Sequence, residues 1–266
     1  MSDLSLQNTQ QVLDPRRRFR ALDAIVLALV ILALWQAIGS WTQGVAVSPP
    51  LQTLAYLFGL LHTRMFWDHA AATLEAFLLA FVLSALLGLA LGLILGVRRF
   101  AGEVAEPILA GFYTIPKVTL YPVVLLLFGL GMSAKVAFGV MHGLVPMTLF
   151  TLGAVRNLPP VLVRTAKVLR LSPGRNMRWV LVPACLPDIV NGLRISFSLS
   201  LLGVLIGEMF SSQRGLGFLL VNGMAQNNVP LSTAIVTVIV AVAILANTLM
   251  LRAGRRFARR PDAAAR

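Results

Sequence analysis

The chain has 266 residues, 58% of them hydrophobic and only 12% charged, with 23 Lys and Arg against 10 Asp and Glu. A mean hydropathy of +0.82 excludes an ordinary soluble domain, which could not cover itself with so little charge, so lipid is the solvent for much of the surface. A net charge of +13 would suggest nucleic acid in a soluble protein. Here the basic residues sit between apolar runs and report membrane topology instead.

Residues 1–20 are polar, end in Arg16, Arg17, Arg18 and Arg20, and read as a cytoplasmic leader. Acidic groups share this leader and no small-residue cleavage site follows the first apolar run, so that run reads as an uncleaved helix. The first span covers about 21–39, with Trp35 and Trp41 at the level of an aromatic belt. Residues 40–70 carry Pro49-Pro50 and form an external loop with room for a short surface helix. The second span, about 71–97, has no charge over its last 22 residues, enough to cross roughly 30 Å of hydrocarbon. The third, about 107–132, is irregular, because it holds Lys117, Pro116 and Pro122. The fourth covers about 136–155. A loop at 156–188 leads to the fifth span, about 189–210, and a Gly- and Asn-rich external loop leads to the sixth, about 231–251. Residues 252–266 form a basic tail.

Orientation follows from counting. Eighteen Lys and Arg fall in the leader, the 2–3 loop, the 156–188 loop and the tail, against three (Arg64, Lys135 and Arg214) on the other side. Both termini are therefore expected in the cytoplasm. The expected fold is an all-α membrane protein with about six transmembrane helices. Gly88, Gly92 and Gly96, Gly139 and Gly143, and Gly203 and Gly207 recur at four-residue spacing, which lets helix backbones approach closely in lipid.

Catalytic chemistry finds no foothold. His62 and His69 lack a second metal donor at ligand spacing, His142 has no serine in a nucleophile turn to pair with, and no Gly-rich phosphate loop ends in Lys-Ser or Lys-Thr. Neither an enzyme nor a metal or cofactor protein is expected. The single Cys185 excludes an internal disulfide. Uphill transport would need an ion gradient or a separate ATPase. Weak candidates for lining a path are Tyr113, Thr114 and Thr119 at the irregular third span, with Ser200 and Glu208 on the fifth; back-bonding serines and an interfacial glutamate are the ordinary alternatives.

The informative stretch lies in the 156–188 loop. Between Pro159-Pro160 and Pro173-Gly174, residues 161–172 make roughly three amphipathic turns, with Arg164, Lys167 and Arg170 on one arc and Val161, Leu162, Val168 and Leu169 on the other. Such a helix can lie on lipid phosphates or dock a soluble partner, and periodicity does not decide between them.

The order of residues adds a resemblance. The run from Arg164 to Pro173, then Trp179 to Asp188 and Gly192 to Ser196, resembles the cytoplasmic signature of binding-protein-dependent ABC importer permeases, most closely the nitrate/sulfonate/taurine branch. Ile115 to Pro122, Phe128 to Gly131, and Gly215 to Phe218 extend the likeness over about residues 20–255. It implies a type I importer permease in the bacterial inner membrane. Residues 161–172 would be the coupling helix that enters a cleft on an ATPase subunit, with Arg164, Thr165, Ala166, Lys167, Leu169, Arg170, Leu171 and Ser172 at the contact. It further implies two copies of this chain, two ATPase subunits, and a periplasmic or lipid-anchored binding protein that delivers a small, anionic solute. Two positions depart from the signature: Arg164 replaces a glutamate and Arg170 a glycine. An ion-driven carrier or channel that needs no ATPase is the alternative.

Overall fold

The computed structural model describes residues 15–257, and all the regular structure within them is helical. Residues 1–14 of the expected leader and the tail beyond 257 lie outside the described residues. In chain order the helices are α1 (Pro15–Trp41), α2 (Pro50–Leu61), α3 (Arg64–Val97), α4 (Arg99–Thr114), α5 (Tyr121–Phe128), α6 (Met132–Arg156), α7 (Pro160–Val168), α8 (Pro173–Asn176), α9 (Val182–Ser211), α10 (Leu216–Ala225) and α11 (Val229–Phe257). A 3₁₀ turn, Lys117–Leu120, precedes α5, and a π turn, Met177–Leu181, precedes α9.

Among the described residues, four segments are long and apolar enough to cross a membrane: α3, α6, the run through α9, and α11. The pair Arg99–Thr114 and Lys117–Phe128 makes a fifth only as a broken span, bent by 90°. The apolar part of α1, Ile25–Trp41, is shorter. The third span, expected to be irregular, is in fact broken into two half-helices, a sharper departure than expected. The physical cause is local: Pro116 and Pro122 remove two backbone donors, and Pro116 drives Ile115 to an extended ψ of 132°. The external loop before the sixth span also differs from expectation, because residues 216–225 form α10. Its start follows Gly215 at φ 126°, a conformation that disfavours side chains with a Cβ.

α3, α6 and α9 form the centre, packed along their lengths. A Cβ placed on Gly88, Gly92 or Gly96 would lie 2.6, 2.5 or 2.7 Å from Met147, Thr151 or Val155 on α6. On the other face of α6, Gly203 approaches the Cα of Gly139 so closely that an added Cβ would sit 2.9 Å away. In lipid no hydrophobic effect drives such contacts, so dispersion between closely approaching backbones holds the bundle. At the end opposite the basic loops, Leu60, Phe66, Leu205, Leu216, Leu219, Leu231, Ala234 and Ile235 form an apolar core under α2 and α10. At the basic end Met147, Ala154, Val155, Cys185 and Ile189 form another. α1 is tied in at its far end, where Trp35 Nε1 donates to the Ser48 carbonyl at 2.9 Å.

Candidate functional site

Three places carry chemistry, and they lie at different heights in the bundle. The first is at the basic end. Pro160 opens α7 at the position where a missing N–H costs nothing, and the helix is shorter than the expected 161–172, ending at Val168. The Leu171 N–H donates to the Ala166 carbonyl at 3.1 Å and the Arg170 N–H to the Lys167 carbonyl at 3.0 Å, which is a Schellman cap. Arg170 sits at the cap's left-handed position, φ 47°. This explains why the signature has glycine there: any Cβ costs about 1–2 kcal/mol in that region. Arg170 therefore leaves the arc shared by Arg164 and Lys167.

Ala166 is 5% exposed and faces the protein, while Arg164, Thr165, Lys167 and Ser172 are exposed and Leu171 is half-buried. Val161, Val168 and Leu169 stand out at 69%, 80% and 63% exposure. The segment thus presents apolar and cationic side chains outward and anchors itself through Ala166. Close by, Arg156 of α6 pairs with Glu106 and Glu103 of α4, and Arg99 pairs with Glu103 at 3.0 Å, tying the broken span to the end of α6 that leads into α7.

The second place is the break between α4 and α5. Tyr113, Thr114 and Thr119 are exposed around it, whereas Lys117 is 8% exposed, its Nζ 4.8 Å from the Tyr113 ring centroid. Thr114 and Thr119 hydroxyls donate to the Gly111 and Pro116 carbonyls at 2.7 and 2.8 Å. Just beyond, Tyr121 stacks edge-on against Phe138 and donates to the Gly207 carbonyl at 2.8 Å.

The third is the end of the bundle away from the basic loops. Glu208 is 0% exposed. Its carboxylate accepts from Thr73 Oγ1 at 2.8 Å, from the Gly217 N–H at 3.1 Å and from Lys135 Nζ at 3.4 Å. Lys135 Nζ also donates to Ser212 Oγ and to the Arg214 carbonyl at 3.0 Å. Thr73 Oγ1 accepts from the Leu216 N–H at 2.8 Å, and His69 Nδ1 accepts from the Gly215 N–H at 3.0 Å. One network therefore joins α3, α6, α9 and the segment entering α10. Beside it opens a cavity of about 600 Å³ lined by Glu75, Lys135, Gln213 and Arg214 among others.

Of the expected path residues, Tyr113, Thr114 and Thr119 come together at the break and are open to the surroundings. Ser200 and Glu208 are enclosed: Ser200 is 0% exposed and hydrogen-bonds Ser84 at 3.3 Å. Ser198 back-bonds to the Arg194 carbonyl at 3.3 Å, and His142 packs against Phe138 with its Nδ1 2.9 Å from that residue's carbonyl. Thr73 carries no signal in the sequence, and Lys135 reads there only as a cation on the sparsely charged side. The available signal for Lys135 was its place among three cations on the wrong side of an eighteen-to-three charge bias, four residues past Gly131 and level with Glu208.

Residues 85–262 match the family described as the binding-protein-dependent transport system inner membrane component. The chain is a permease of this family. It is 31% identical over 230 residues to a probable ABC transporter permease protein of Haemophilus influenzae, covering 85% of this chain and 93% of that one. It is 31% identical over 242 residues to the riboflavin transport system permease protein RibX of Chloroflexus aurantiacus, covering 90% and 89%, and 26% identical to the taurine transport system permease protein TauC of Escherichia coli, covering 71% and 72%. The fold matches a chain of the MetNI methionine ABC transporter in inward-facing conformations, with a TM-score of 0.61 at 20% identity, covering 73% of this chain and 98% of that one. The permease is therefore a multi-pass inner-membrane subunit of an ABC transporter, and its similar relatives are transport subunits rather than enzymes.

Proposed function

We propose that this permease forms the path of an ATP-driven importer for a small anionic solute, with two copies enclosing the path and two ATPase subunits docked on their α7 segments. In this reading residues 21–251 are the permease domain and 156–188 the coupling loop, with the termini in the cytoplasm. A binding protein brings solute to the opposite face. ATP closes the ATPase pair, which moves the coupling segments and turns the path, because nucleotide binds one state better than the other.

The observation that carries the docking surface is α7 itself. Val168 and Leu169 are mostly exposed at the basic end of the bundle, beside Arg164 and Lys167, and Ala166 roots the segment in its own protein. An apolar patch in water flanked by charge suits a protein cover. The contact falls on Arg164, Thr165, Lys167, Leu169 and the cap Arg170–Ser172, with Ala166 as support. The anionic solute is supported by relatives named for taurine, aliphatic sulfonates and nitrate. The relative named for riboflavin makes that solute the comparison to include.

The test is purification of the tagged permease in gentle detergent from its host, with complex mass and partner identity determined. Two permeases with two ATPase subunits are expected, and L169E or V168E should release the ATPases while leaving the permease pair. Uptake by the reconstituted complex with its binding protein is then compared for taurine, ethanesulfonate, nitrate and riboflavin. Recovery of the chain alone, with gradient-driven flux in ATP-free vesicles, would establish the secondary carrier instead.

A further inference from the structure

The half-helix Lys117–Phe128 starts inside the bundle. Tyr121, four residues in, packs on Phe138, which lies about 9 Å along α6 from its Met132 end, so the break sits within the thickness that α6 spans. No side chain caps the half-helix: Pro116 precedes it without a capping bond, and the first N–H groups of a helix have no partner within the helix itself. The Thr119 N–H turns back to the Pro116 carbonyl at 3.0 Å. The helix dipole leaves this end positive.

Lys117 is the first residue of that half-helix and is 8% exposed. It has no ion pair or hydrogen bond among the described residues; its Nζ lies over the Tyr113 ring and its charge also reaches His142. Lys117 and a helix N-terminus thus stand together at a 90° bend. Around them Tyr113, Thr114, Ile115, Pro116 and Thr119 are exposed. Irregular backbone at this depth cannot face hydrocarbon, because lipid satisfies none of its polar groups. It must line water or protein. Half-helix N-termini within a bundle suit the anionic groups of transported solutes, and an ionisable side chain inside the membrane is expensive unless used.

We propose that Lys117 and the N-terminus of the half-helix Lys117–Phe128 form an anion-binding station on the path, taking the sulfonate, carboxylate or nitrate group of the solute. The α4–α5 kink is what aims them. This station rests on the anionic-solute reading above, but its test does not.

The experiment uses the complete reconstituted complex carrying C185S and the reporter T119C, with T114C as a second reporter. Each is labelled with anionic, cationic and neutral methanethiosulfonate reagents. With Lys117 present, the anionic reagent should gain on the cationic one by about tenfold relative to K117M, as expected for a unit charge a few ångströms away. K117R should preserve the ratio, the neutral reagent should be indifferent, and ethanesulfonate should slow labelling only when residue 117 is cationic. An unchanged ratio in K117M, or no labelling by any reagent at either reporter, overturns the station. If the ratio holds but taurine, ethanesulfonate and nitrate are all refused in uptake, the station stands and the anionic-solute reading falls.

Discussion

Two lysines of this permease are almost equally buried, at 3% for Lys135 and 8% for Lys117, and their surroundings could hardly differ more. Lys135 faces a carboxylate, a hydroxyl and a carbonyl from the single stretch Glu208 to Arg214; Lys117 faces an aromatic ring and has no ion pair among the described residues. The contrast separates structure from availability. A buried charge surrounded by partners has its field spent on holding helices together, and no ligand can compete with groups already within hydrogen-bond distance. A buried charge without an anion keeps its field for something that arrives.

That contrast can be broken by substitution. The largest effect belongs to E208A, which strands Lys135 without its carboxylate and should cost about 3–5 kcal/mol in thermal unfolding of the detergent-solubilised protein. Replacing both partners by apolar residues, K135M with E208L, should recover most of the loss; failure to recover would mean that the pair specifies the geometry rather than merely satisfying itself. G215A comes next, at roughly 2–4 kcal/mol, since its Cβ would enter the left-handed region at φ 126° and lie 2.1 Å from the Glu208 carboxyl carbon. T73V removes one donor to Glu208 and one acceptor from Leu216 N–H, and should cost about 1–3 kcal/mol.

The smallest stability effect sharpens the comparison most. K117M should raise the unfolding free energy by up to about 1 kcal/mol, because it removes a buried charge that only the Tyr113 ring offsets among the described residues, while uptake by the reconstituted complex falls. A Lys117 substitution as destabilising as E208A would place both lysines in the same structural class and end the distinction.

Much of the architecture was legible from residues alone. Apolar run lengths, the asymmetry of Arg and Lys, and the four-residue glycine spacing are direct consequences of lipid as a solvent, so they survive without tertiary knowledge. The amphipathic segment after Pro159-Pro160 was legible for the same reason, and its cap explains the signature's glycine through the backbone at Arg170. The positions of the residues expected to line a path were half legible. Tyr113, Thr114 and Thr119 share one short proline-rich stretch and do meet at the break, but Ser200 and Glu208 sit in long helices whose rotation no local pattern specifies, and both turned inward.

By itself, then, the sequence determined that this protein is a helical membrane permease, which way its basic loops are expected to face, and where an amphipathic segment lies among them. The helical membrane class and the charge asymmetry follow from composition and short-range periodicity, whereas the permease role came from the order of residues that resembles the family signature. The tertiary structure decided that the third span is broken by 90°, that Lys135 closes on Glu208, which lies 73 residues further along the chain, and that Lys117 has no anion beside it among the described residues. Those outcomes depend on which side chains neighbouring helices bring within a few ångströms, and burial in a low-dielectric interior makes the presence or absence of one partner decisive.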